Sequence, residues 1–171
     1  MMQMLEAGGV PALTDHVRAR DDDNPRGYFE LEAVKRTKRD SSWLEAASGR
    51  AVKMVHLLLY DLPADRAYQV IFMRRKLEEV VRSQGRMLER RGTSGADLSD
   101  EQLIRAYEDQ LRKIDTWLRE QPNIDVLGVD YNRLLDDPAP VAEAISRFLG
   151  GGLDVDAMLE RIDRSLYRQR C

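Results

Sequence analysis

The side chains best suited to chemistry stand where apolar runs end. Phe72-Met73 gives way to Arg74-Arg75-Lys76, and Ser83 follows about two helical turns later. Guanidinium groups offer forked donors to phosphate oxygens, and a helix start adds oriented N–H groups and a partial positive charge. A phosphate could be held there. The same cations could instead pair with Glu78 and Glu79, as surface ions commonly do, and both readings stand. Two other apolar runs end in candidates: His56 follows Val55, and Asp130-Tyr131 follows Val129. Ligands of parallel α/β sheets bind beyond the carboxyl ends of the strands, which is where all three groups are expected.

The elements that must position them follow from periodicity. Tyr68–Met73 and Ile124–Asp130 read as buried strands, and Ala51–His56 as a shorter one after Gly49. Leu77, Val80, Val81, Gln84, Met87 and Leu88 recur at helical spacing. Ser99 and Gln102 form a capping box, with Leu98 and Leu103 as a hydrophobic staple, ahead of a stripe running through Leu118. Asp137-Pro138 opens a helix that Gly150-Gly151-Gly152 stops, and a last helix is expected over Asp154–Ile162. Met1 to Gly9 reads as a helix already under way that ends at a glycine pair, and Tyr28–Leu44 has helical character. Asp15–Gly27, with Asp21-Asp22-Asp23 and Asn24-Pro25-Arg26-Gly27, reads as a loop. Alternating strands and helices predict an α/β class: a parallel sheet with helices on both faces.

The 171 residues fit a single domain, and 43% hydrophobic with 33% charged residues is a globular composition. A net charge of −3 argues against nucleic acid or an anionic membrane as partner. No stretch approaches the roughly 20 apolar residues of a membrane helix. The single cysteine, Cys171, allows no intrachain disulfide and fits a reducing, cytoplasmic setting. Two histidines, His16 and His56, with that cysteine make no metal cluster of known spacing, so no metal is expected.

Four stretches together resemble the PAPS-dependent sulfotransferase family. Arg75 and Ser83, eight residues apart across a strand end and a helix, resemble its 3′-phosphate motif. Asp130-Tyr131-Asn132-Arg133-Leu134-Leu135-Asp136-Asp137-Pro138, followed by Ala144–Gly150, resembles its Y-E-D-L-x-x-D-P and I-x-x-F-L-G stretch. The opening Met1–Gly9 and the Asn24–Glu30 loop resemble bacterial members. Ser165–Arg170 resembles their tails; it could bring a cation near the nucleotide or be a frayed basic end.

The resemblance implies a P-loop NTPase-like sulfotransferase fold over residues 1–171, PAPS as sulfuryl donor, and a small-molecule hydroxyl or amine as acceptor. Arg75 and Ser83 would bind cofactor. Val52–Leu57 resembles the family stretch in which a Lys stabilises the leaving group and a His acts as base, which implies those roles for Lys53 and His56. The spacing is one residue longer than in the family. Strand residues three apart face opposite sides, so both reach one site only if the strand ends or bulges between them. Glu30 and Asp15 are alternative bases.

The family's first strand and 5′-phosphosulfate loop precede the helix in which Met1 lies, so the resemblance implies an N-terminally truncated chain of doubtful activity. Its neighbouring strands would then expose edges that favour self-association. Gly92-Thr93-Ser94-Gly95 lies between helices and reads as a connector. The alternative function is non-catalytic: a degenerate member that binds adenosine 3′,5′-bisphosphate or a protein partner.

Overall fold

The structure, a computed structural model, describes residues 1–18, 27–90, 92 and 98–163. The chain divides into two compact units, one of Met1–Ala67 and Ala142–Ile162, the other built on Tyr68–Val141. The expected features at Asp21–Arg26, Thr93–Gly95 and Ser165–Arg170 lie outside the described residues.

In the second unit, the apolar runs form β1 (Tyr68–Arg74) and β2 (Ile124–Asp130). They pair in parallel, from Tyr68 opposite Ile124 to Arg74 opposite Asp130. A parallel pair needs a long crossover. Here it carries α3 (Leu77–Arg90) and α4 (Asp100–Arg119), which pack on each other. The capping box at the start of α4 is complete: Ser99 Oγ accepts from Gln102 N, and Gln102 Oε1 accepts from Ser99 N. Leu98 remains 46% exposed, so the expected staple buries little. Ile114 and Leu118 of α4, Val81 of α3, and Phe72, Ile124 and Val129 of the strands are buried. The short α5 (Tyr131–Asp136) starts directly at the end of β2, because Asp130 turns its carboxylate onto Arg133 N at 2.8 Å.

The chain is thus a mixed α/β protein whose sheet, among the described residues, has two parallel strands. Parallel sheets are normally covered on both faces. Val126 of β2 is instead 40% exposed. Concentration-dependent self-association is therefore expected, and Val126→Lys should reduce it. Light scattering across a dilution series checks this; identical curves for parent and variant would contradict it.

In the first unit, α1 (Met2–Ala7) packs on α7 (Val155–Glu160). The approach is close: a Cβ on Gly8 would lie 2.7 Å from Met158 Cγ, and Met158 is fully buried. Gly8 O accepts from Asp154 N at 3.2 Å, and Asp154 caps α7 through Ala157 N. Gly8→Ala should therefore lower stability by about 1–3 kcal/mol through overpacking. A shift in the denaturation midpoint at unchanged slope reads this, and an unchanged midpoint contradicts it. The helix α6 (Pro138–Phe148) buries Ala142 and Ile145 and stops where Gly150 takes φ 94° and Gly151 N reaches Ser146 O.

Two expected elements of this unit differ. Ala51–His56 is not a strand: among the described residues one parallel bridge, Ala12 to Ala51, is its pairing, and the chain then turns into a 3-10 helix over His56–Asp61. Tyr28–Leu44 is not a continuous helix but a 3-10 turn, Glu32–Arg36, followed by the short α2 (Leu44–Ala47). Local side-chain bonds compete with helical propagation there. Thr37 Oγ1 donates back to Val34 O at 2.6 Å, and Asp40 Oδ1 takes Ser42 N at 3.0 Å. Among the described residues, no helix is long and apolar enough to cross a membrane.

Candidate functional site

The register of the second unit builds the site. Because Arg74 pairs with Asp130, the next residue of each strand, Arg75 and Tyr131, emerges at the same carboxyl end. The Arg75 guanidinium carbon lies 4.9 Å from the centroid of the Tyr131 ring, within cation–π range. Arg75 Nε donates to Glu79 Oε2 at 2.7 Å, and Asn132 Nδ2 donates to Glu79 Oε1 at 3.2 Å. Glu79 is fully buried, whereas the Arg75 side chain keeps 25% exposure. Burial pushes the Tyr131 phenol above its ordinary 10.0; Arg75 works against that shift and Glu79 adds to it.

The three cations of the Arg74-Arg75-Lys76 cluster have separate fates. Arg74 pairs with Asp115 of α4 and lies over the Phe72 ring, while Lys76 is exposed. Arg75 makes the ion pair foreseen with Glu79, through the Nε edge of its guanidinium. Ser83 is exposed on α3, and its hydroxyl has no hydrogen-bond partner among the described residues. Glu79 and Ser83 stand four residues apart on α3, a spacing that places side chains along one helix face, and Arg75 precedes the helix by two residues.

Lys53 and His56 belong to the first unit. The backbone is extended at Val55 and turns at His56, so the extended segment ends between the two residues. Lys53 Nζ donates to Tyr28 O at 3.0 Å and lies 3.6 Å from Glu30 Oε1. The same Glu30 oxygen accepts from Arg18 at 3.0 Å, and the Arg18 guanidinium carbon stacks 3.3 Å from the Tyr28 ring centroid. Lys53 is therefore brought to Glu30, and no hydrogen bond or ion pair joins it to His56 among the described residues. Phe29, between Tyr28 and Glu30, takes φ 51°, a left-handed conformation that a bulky residue adopts only under constraint. Glu30 O supplies that constraint by accepting from Thr14 Oγ1 at 2.8 Å and Asp15 N at 3.3 Å. His56 Nε2 is buried with no hydrogen-bond partner among the described residues, although Val55 and Leu57 on either side are exposed.

Asp15, an alternative base, is consumed by the backbone: Oδ2 accepts from Glu32 N at 2.6 Å and Oδ1 from Val17 N at 3.0 Å. The Glu32 N–H, and then that of Val17, holds its carboxyl below the ordinary 3.8. A folded value below the unfolded one contributes stability above pH ~4, and that stability is lost as pH falls through the folded value. Asp15→Asn should flatten the acid limb of the stability profile. Denaturation midpoints between about pH 2 and 5 check this, and superimposable limbs would contradict it.

The contact of Arg75 with Tyr131 and the bond from Asn132 to Glu79 were legible only through register, which no spacing within one segment reveals. Arg18 and Tyr28 carried no signal, since their stacking joins residues ten apart that no motif links. Among the described residues no group of three His, Cys, Asp or Glu could hold a metal ion. Neither a family model, nor a curated protein, nor a solved structure matches the chain.

Proposed function

We propose that the chain is a sulfotransferase-family protein of P-loop-like fold, whose Arg75 and Ser83 hold the 3′-phosphate of PAPS. The observation that carries the reading is Arg75 standing at the carboxyl end of a parallel strand, two residues before α3, the helix that bears the exposed Ser83. A forked cation and a hydroxyl at such a strand end are the donors that a phosphate dianion takes.

In the transfer itself, the bond between sulfur and the bridging oxygen of the phosphosulfate breaks while a bond forms from sulfur to the acceptor oxygen or nitrogen. Adenosine 3′,5′-bisphosphate leaves with the bridging oxygen and its electron pair. By the resemblance, Lys53 stabilises that leaving charge and His56 takes the acceptor's proton. A buried ring nitrogen without a partner is costly, on the order of 1–3 kcal/mol, and groups of that kind are found at catalytic positions.

One observation favours the non-catalytic alternative: Lys53 Nζ is committed to Tyr28 O and the neighbourhood of Glu30. Sulfuryl transfer from PAPS to a panel of hydroxyl and amine acceptors separates the two readings. The assay should be run on the chain alone and on the chain preceded by a strand and phosphosulfate loop. Preorganised donors of that loop are worth about 10²–10³ in rate apiece, so the extended form is expected to be far more active. Adenosine 3′,5′-bisphosphate binding without transfer by either form would leave the non-catalytic reading.

A further inference from the structure

We propose that Glu79 is a positioning residue that aims Arg75 along α3 toward Ser83; this rests on the reading of Arg75 and Ser83 as a 3′-phosphate site. Glu79 is fully buried, a rare condition for a carboxylate unless it is paired. Each oxygen has its own donor: Oε2 takes Arg75 Nε and Oε1 takes Asn132 Nδ2 from α5. Buried ion pairs can often be replaced by apolar residues without loss of stability, so stability alone gives little reason for a charge here. Geometry gives a better one.

Ser83 is the sixth residue after Leu77, the first of α3, which is about 9 Å along the helix axis. Arg75 precedes the helix, so its side chain must run along that face to share a ligand with Ser83. Glu79 stands between them. Nε docked on the Glu79 carboxylate ties the Arg75 side chain to the first turn of the helix that bears Ser83. The Tyr131 ring restricts the guanidinium further. Asn132, rooted in the residues after β2, fixes Glu79 in turn, so the orientation of a β1 residue depends on the β1–β2 register.

Glu79→Gln keeps the shape and removes the charge. It should weaken binding of adenosine 3′,5′-bisphosphate about five- to twentyfold and leave adenosine 5′-monophosphate unchanged, since only the former offers a 3′-phosphate. In an Arg75→Lys background, which keeps the charge but loses the fork, Glu79→Gln should add less than about twofold. Calorimetric titration of the full chain with both nucleotides reads all of this. Equal weakening of both nucleotides would make Glu79 merely structural and overturn the proposal. So would parent-like bisphosphate binding by Glu79→Gln while Arg75→Lys is weakened, and the Arg75 site would then survive. If neither variant changes bisphosphate binding, the Arg75 site itself is wrong. Should Glu79→Gln not fold, Asn132→Ala leaves the Arg75–Glu79 pair in place and should show the same selectivity in smaller measure; its absence there counts against positioning.

Discussion

Arg75→Ala is expected to weaken binding of adenosine 3′,5′-bisphosphate roughly ten- to a hundredfold, because a charge-assisted hydrogen bond contributes about 1.5–3 kcal/mol. The same substitution should destabilise the fold by about 3–5 kcal/mol, since it removes one partner of a pair whose carboxylate, Glu79, is fully buried. The two effects are separable. Chemical denaturation reports the loss of stability, and titration of the fraction that remains folded reports the loss of affinity. Arg75→Lys supplies the control, because it retains a cation beside Glu79 while giving up the forked geometry that a phosphate prefers. Unchanged affinity in both variants would remove Arg75 from the site.

His56→Ala should lower kcat by about 10²–10⁴ in an active form of the protein while nucleotide affinity stays near the parent value. The proton it would accept belongs to the acceptor, not to the nucleotide. The same change removes a buried ring nitrogen that has no partner among the described residues, so the stability penalty should be smaller than for an ordinary half-buried side chain. A fall in kcat of less than tenfold would hand the role to Glu30, which lies 3.6 Å from Lys53. Lys53→Ala makes the parallel case, with the added consequence that the carbonyl of Tyr28 loses its donor.

What could be read from the amino-acid sequence depended on whether local pattern or distant pairing decided the outcome. β1 and β2 announced themselves because a run such as Val70-Ile71-Phe72-Met73 has no polar residue to place on a solvent face. The start of α4 was equally plain, since Ser99 and Gln102 satisfy each other's backbone whatever surrounds them. Ala51–His56 carries a similar apolar bias, yet a strand exists only where a neighbour accepts its hydrogen bonds. Ala12 offers one bridge, after which the chain turns at His56. Tyr28–Leu44 has helical character in the sequence, but Thr37 and Asp40 turn their side chains back on the backbone and break the helix.

The candidate site shows the same division. The pairing of Arg75 with Glu79 was an open alternative because it rests on a four-residue spacing that any helix start would create. The complete burial of Glu79 was not legible. It requires Asn132, 53 residues away, and Asn132 is delivered by the parallel register of two strands and by the Asp130 cap that starts α5 at once. Likewise, Lys53 and Glu30 meet because Phe29 takes a left-handed conformation, which an aromatic residue gives no sign of adopting.

The central claim is that Arg75 and Ser83 read a 3′-phosphate. It is tested most directly by calorimetric titration of the 171-residue chain with adenosine 3′,5′-bisphosphate and with adenosine 5′-monophosphate, two ligands that differ only in that group. The account predicts that the bisphosphate binds at least about tenfold more tightly and that Ser83→Ala narrows the gap. Equal affinity for the two nucleotides, or a preference for the bisphosphate that survives both Arg75→Lys and Ser83→Ala, would contradict it.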